Sequence, residues 1–150
     1  MNADSPLAQC RLLDLPRVDD CRGSLSFVEG GRHIPFEIRR IYYIYQVPDR
    51  HVRGAHAHKA LHQIFIALSG SFDLDLEDGR GAKRHIHLSR PDQGFYVGPM
   101  VWRELGRFTR DAVCMVLASE VYDEADYFRD KDLFLAAAAD PRPPSPGPSA

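Results

Sequence analysis

Apolar and polar residues alternate with a period of two along most of the chain. Ser24-Leu-Ser-Phe-Val28 alternates, Phe72-Asp-Leu-Asp-Leu76 alternates strictly, and Arg84-His-Ile-His-Leu88 repeats the pattern. Such runs predict strands with one buried face. Phe36 to Val47 is a longer run rich in β-branched and aromatic residues, again a strand signal. Gln63-Ile-Phe-Ile-Ala-Leu68 is nearly all apolar and stops at Ser69-Gly70, which predicts a strand buried on both faces. Glu77-Asp78-Gly79 after Leu76 marks a hairpin. Gly94–Val97, Val101-Trp102 and Ala112–Ala118 complete the set. Roughly seven to nine short, evenly spaced strands predict a sandwich or barrel. Only the end changes period. From about Asp123 to Ala139, Tyr127, Phe128, Leu133, Phe134 and Leu135 stand among charges and alanines. That pattern predicts one or two helical turns packed across one end of the barrel.

Composition narrows the class without naming a function. The 150 residues are enough for one domain with a substantial core. With 19 basic and 21 acidic side chains the net charge is −2, so no global field draws the chain to nucleic acid or an anionic membrane. No apolar run approaches the roughly 20 residues of a membrane span. The first residues, Met1-Asn-Ala-Asp-Ser-Pro6, lack the basic and apolar stretch of a signal peptide. Cys10, Cys21 and Cys114 are odd in number with no metal-like spacing, which argues against a disulfide framework. A cytoplasmic protein is expected. Five prolines crowd into Asp140–Ala150, so the domain is expected over 1–139, with 140–150 a disordered, polyproline-like tail.

The chemistry concentrates in Arg53-Gly-Ala-His-Ala-His-Lys-Ala-Leu-His-Gln63. His56 and His58 are two apart, so on a strand both imidazoles point to one face. Their spacing to Gln63 and Gly70 matches the first cupin motif, His-x-His-x4-Glu-x6-Gly, and so predicts an all-β, cupin-type double-stranded jelly-roll barrel with a short C-terminal helix. In metal-binding cupins the acidic position supplies a carboxylate, and a later Pro-x-Gly-x-x-His adds an imidazole. Here the acidic position is Gln63, a poor ligand, and Pro99-Met-Val-Trp-Arg-Glu104 holds no histidine. Two imidazoles fall short of the usual three or four ligands, so no metal and no cofactor are expected. Arg53 and Lys59 crowd cations beside the pair, which an anionic substrate would explain.

Beyond the lone motif, Arg53-Gly-Ala-His-Ala-His-Lys59 closely resembles the sugar 3,4-ketoisomerases that act on dTDP-linked 4-keto-6-deoxyglucose. Arg22-Gly-Ser-Leu25, Ile34-Pro-Phe36, Arg40-Ile-Tyr-Tyr-Ile-Tyr45, Trp102-Arg-Glu104 and Leu117–Tyr127, continuing into Arg129-Asp130, fit the same family in order. The resemblance spans roughly residues 10 to 136. It implies a metal-free cupin homodimer that moves a keto group from C4 to C3 of the sugar, on the way to 3-acetamido-3,6-dideoxy sugars. It also implies proton transfer by His56 and His58.

The chemistry suits those residues. A C3–H beside a ketone is weakly acidic, so a base near neutrality and stabilisation of an enediolate are both needed. Histidine is the side chain best matched to the first task. For the diphosphate, Arg22, Arg40, Arg53 and Lys59 are the candidates. Tyr43 and Trp102 could stack on thymine or sugar, and Gln63 and Arg103 complete the substrate-binding set. Arg40 and Tyr42 share one strand face and Tyr43 and Tyr45 the other, but a bulge would reverse the parity. His85 and His87 read as a surface face, His62 as packed or exposed, and Asp123, Glu124 and Asp126 as acids suited to a helix N-terminus. Alternatives are a related deoxysugar epimerase, for which no acidic partner to a histidine base is evident, a nucleotide-sugar-binding cupin without catalysis, and a metallo-cupin dioxygenase.

Overall fold

The computed structural model describes residues 2–140 and residue 142. The expected proline-rich tail, apart from Asp140 and Arg142, lies outside the described residues. Twelve strands form: β1 (Arg11–Asp14), β2 (Arg17–Asp20), β3 (Gly23–Ser26), β4 (Arg40–Tyr45), β5 (Arg53–His58), β6 (Gln63–Ser69), β7 (Phe72–Glu77), β8 (Lys83–Leu88), β9 (Gln93–Val97), β10 (Trp102–Gly106), β11 (Val113–Ala118) and β12 (Tyr127–Phe128). Helices α1 (Pro6–Gln9) and α2 (Lys131–Ala139) stand near the two ends. One sheet runs β1-β9-β6-β11-β4, the other β12-β5-β10-β7-β8, and β2-β3 is a separate hairpin. All their strand pairs are antiparallel. Two such sheets face to face, with the chain crossing between them, are the expected jelly roll.

The core lies between the sheets. Phe65, Ala67, Leu74, Leu76, Phe95 and Val116 fill it from both sides. From Gln63 to Ala67 the β6 run is buried on both faces, as its apolar sequence predicts, whereas Leu68 at its end is exposed. Its alternate residues Ile64 and Ile66 meet Leu15, Ile34 and Leu117 on the outside, beneath the segment between β3 and β4. Gly70, the last position of the cupin motif, turns the chain at φ +59°, and a Cβ there would stand 2.8 Å from the Ala112 Cα. Glycine is required both for the left-handed turn and for that close approach.

Three departures from the sequence pattern matter. β1 and β2 form although neither alternates. Arg11-Leu-Leu-Asp14 and Arg17-Val-Asp-Asp20 owe their extended state to pairing with β9 and β3. The Phe36–Val47 run yields a strand only over Arg40–Tyr45. The helical segment begins late. Glu124–Asp126 is a single 3-10 turn capped by Asp123, β12 follows, and α2 starts after its N-cap Asp130, whose side chain accepts from the Leu133 amide at 3.1 Å. Nor does α2 close a barrel end. It lies on the outer face of the second sheet, where Phe134 and Ala138 pack with Ala57 and Trp102. No helix among the described residues is long and apolar enough to cross a membrane.

Candidate active site

Strand parity and one bulge build a cavity of 540 Å³ at the mouth of the barrel. On β4, Arg40 and Tyr42 point inward and Ile41, Tyr43 and Tyr45 outward, which settles the parity left open by the sequence. On β5, His56 and His58 share the inner face. Simple alternation would turn Arg53 away from them. The pairing with β10 slips between Arg103↔His56 and Leu105↔Arg53, however, and Gly54 at φ +73° supplies the bulge. Arg53 therefore joins His56 in lining the cavity.

The two imidazoles meet edge to face with centroids 4.8 Å apart. His56 faces the cavity, while His58 is fully buried behind it. Tyr127 lies 4.9 Å from the first ring and 4.3 Å from the second, because β12 pairs with β5 in the register Tyr127↔His58. Burial pushes both imidazoles down, His56 to about 3 and His58 to about 4, and the Arg103 cation pushes the same way. For His58 the Asp126 carboxylate opposes the shift through a hydrogen bond from Nδ1 to Oδ2 at 3.0 Å. Both rings are thus neutral at working pH and free to accept a proton.

Beneath them sits a buried cation. Arg103 is fully buried and donates to the carbonyls of Val101 and Gly98 and to Gln63 Oε1. No carboxylate makes an ion pair with it among the described residues. Burial lowers the Arg103 pKa to about 10, which leaves it charged at neutrality. Since guanidinium only donates, Gln63 must turn its carbonyl to Arg103 and its amide to Tyr42, where Nε2 donates to the hydroxyl at 2.9 Å. The Tyr42 proton is then free for an acceptor in the cavity. Burial raises the Tyr42 pKa to about 12, so that proton stays in place. The same hydrogen bonds bear on the metal-ligand positions of the cupin motif. Gln63 is spent on Arg103 and Tyr42, so the acidic position of the cupin motif offers no ligand, and no group of three or more His, Cys, Asp or Glu side chains fit to hold a metal occurs among the described residues.

Several sequence-based site residues lie elsewhere. Trp102 alternates with Arg103 and faces out, its ring 5.6 Å from Phe134 and its Nε1 donating to Glu104 at 3.1 Å. Trp102 is therefore not among the residues that line the cavity, contrary to the expected stacking on thymine or sugar there. Lys59 follows the end of β5, donates to the Ala125 carbonyl at 2.9 Å and lies over Phe128, outside the cavity. Arg22 is exposed on the β2–β3 turn and paired with Asp20 at 2.6 Å. Gln63 serves the Arg103–Tyr42 chain rather than open space. Tyr43 stands at the rim, its ring stacked on Tyr45 at 5.8 Å. Arg40 and Arg103 are in place, and Arg40 Nε is buried with no partner among the described residues.

Asp126, Tyr127, Tyr122 and Arg129 carry no site role in the sequence reading. Glu124 accepts from Arg129 at 2.8 Å and from the Tyr122 hydroxyl, which fixes both as cavity walls. Of the three acids expected at a helix N-terminus, only Asp123 caps. Asp126 is the acidic partner of a histidine that the sequence left unassigned. His85 and His87 are exposed on the outer face, paired with Asp75 and Asp73 at 2.7 and 2.6 Å.

A family model described as "FdtA: WxcM-like, C-terminal" matches residues 8–139. The chain belongs to this family. The chain is 44% identical over 124 residues to the TDP-4-oxo-6-deoxy-alpha-D-glucose-3,4-oxoisomerase of Aneurinibacillus thermoaerophilus, covering 83% of this chain and 88% of that one. A mutant of the 3,4-ketoisomerase QdtA from Thermoanaerobacterium thermosaccharolyticum, in complex with TDP-4-keto-6-deoxyglucose, superposes with a TM-score of 0.84 at 42% identity, over 86% of this chain and 93% of the other. The TDP-quinovose 3,4-ketoisomerase WlaRB from Campylobacter jejuni gives 0.81 at 46% identity, over 85% and 98%.

The lowered histidine pKa values carry a stability signature. Unfolded imidazoles titrate near pH 6.5, so between about pH 4 and 6.5 the unfolded chain binds more protons. Stability is full above that window and falls as the pH drops through it. Denaturation midpoints at about pH 7.5 and pH 5 should differ more for the wild type than for a His56→Asn/His58→Asn double variant. Equal differences would mean that the titration lies elsewhere.

Proposed function

We propose that this chain moves the keto group of a dTDP-linked 4-keto-6-deoxyglucose from C4 to C3, as the resemblance implies. The observation that carries the reading is the pair of neutral imidazoles over a buried, unpaired cation, in a cavity lined by arginines. His56 removes the C3 proton and later delivers a proton to C4. His58 takes the O3 proton and returns it to O4. The Arg103 charge and the Tyr42 hydroxyl stabilise the enediolate between those steps. Arg40, Arg53 and Arg129 stand at the cavity wall for the diphosphate, with Tyr43 at its rim. The exchange is internal, so no redox cofactor takes part, and a neutral Gln63 engaged by Arg103 and Tyr42 at the acidic cupin position supports turnover without metal.

An acidic partner for His58 and a nearby tyrosine remove the sequence-based ground for setting an epimerase aside. What favours the isomerase is identity of 42 to 46% with 3,4-ketoisomerases over most of the chain. The deciding assay supplies TDP-4-keto-6-deoxyglucose in excess chelator and traps product with a 3-aminotransferase. A 3-amino sugar nucleotide at an undiminished rate is expected. An epimerised 4-keto sugar would overturn the isomerase, binding without turnover would favour a sensor, and loss of rate on chelation would overturn metal independence.

The outer surface of the first sheet supports a homodimer. β4 is an edge strand, and its outward Ile41, Tyr43 and Tyr45 are more than half exposed. An apolar hollow of 680 Å³ under the β2–β3 hairpin adjoins Ile41. A second copy would cover both the open edge and the apolar residues. Three free thiols fit a reducing, cytoplasmic setting.

A further inference from the structure

We propose that Asp126 is a positioning residue that holds His58 as the Nδ1–H tautomer, leaving Nε2 as the bare proton acceptor beside His56. This rests on the isomerase reading for its kinetic consequence but not for the tautomer itself. His58 Nδ1 lies 3.0 Å from Asp126 Oδ2, and the other carboxylate oxygen, Oδ1, accepts from the Ala60 amide at 2.8 Å. An ionised carboxylate only accepts, so a neutral imidazole facing it must place its proton on Nδ1. Burial pushes the Asp126 pKa up, but hydrogen bonds from His58 and from the amides of Ala60 and Leu61 hold it below the usual range, so the carboxylate is ionised. His58 Nε2 is buried with no partner among the described residues. A buried polar atom with no protein partner is what a group that meets a substrate hydroxyl would show.

The backbone makes the assignment sharper. The Ala60 amide is an obligatory donor, so an asparagine at 126 must give it its one carbonyl oxygen. The side-chain amide then faces His58 Nδ1 as a donor and forces the proton to Nε2. Asp126→Asn therefore inverts the tautomer instead of merely weakening a contact. A histidine with its proton on the wrong nitrogen cannot take one from the substrate.

The test has two readouts. In wild-type protein labelled with 15N-histidine, the two-bond proton–nitrogen pattern of His58 should report a protonated Nδ1 and a bare Nε2. In Asp126→Asn the pattern should invert, with kcat reduced by about a hundredfold or more and KM nearly unchanged. A protonated Nε2 in the wild type overturns the proposal whatever the variant does. So does wild-type kcat in Asp126→Asn. A rise in KM matching the loss of kcat also overturns it, since that is how a misplaced Tyr127 and Arg129 would behave. If the enzyme gave no 3-keto product, the isomerase reading would fail while the wild-type tautomer still decided this one.

Discussion

His56→Asn is expected to lower turnover by about 10²–10⁴-fold while the nucleotide sugar still binds. Asparagine keeps a polar shape on the inner face of β5 but has no group that titrates. The arginines that line the cavity are untouched, so binding should survive. His56 is the imidazole that faces the cavity, whereas His58 lies behind it, tied to Asp126. The cleanest readout is exchange of the C3 proton in deuterated water. Exchange should stop in His56→Asn and persist at a reduced rate in His58→Asn, because the first proton removal does not need the second ring. The opposite pattern would exchange the two roles. Wild-type exchange in both variants would mean that neither histidine is the base.

Arg103→Met is expected to cost about 10²–10³-fold in kcat and to raise the pKa of both histidines. Among the described residues the guanidinium's hydrogen-bond partners are all neutral, so its field reaches into the cavity without a directly paired carboxylate to cancel it. That field favours negative charge on the sugar oxygens and disfavours protonated imidazole. Its removal should carry the acid limb of the pH–rate profile to higher pH as turnover falls. Loss of the donor also strands Gln63 Oε1 and the Val101 and Gly98 carbonyls, at about 1–3 kcal/mol for each buried group that stays unpaired. Arg103→Lys keeps a charge without the planar fork, and should restore the pH limb better than the stability. An unchanged acid limb in a folded Arg103→Met protein would show that the cation does not act on the histidines.

Much of this molecule was legible in the order of its residues. Alternation and unbroken apolar runs are both local patterns, so the strands around Phe72–Leu76 and Arg84–Leu88, which alternate, and around Gln63–Leu68, which is nearly all apolar, could be read from their own side chains. The shared face of His56 and His58 follows from the same two-residue period, as does the pairing of Arg40 with Tyr42. Composition excluded a membrane helix and a disulfide framework before any folding was considered. What the chain order could not supply was which distant residues meet. Asp126 reaches His58 across 68 positions because β12 pairs with β5, and a two-residue strand carries no pattern of its own. Arg53 faces the cavity only because a bulge at Gly54 overrides parity. Trp102 faces away from it only because β10 turns Arg103 inward. Gln63 looked like a ligand position that had lost its carboxylate. It became intelligible once Arg103 lay against it, since a donor-only cation dictates which end of a neutral amide faces it. Strand period is set within a few residues, whereas pairing partner, register and bulge are decided by the whole chain at once.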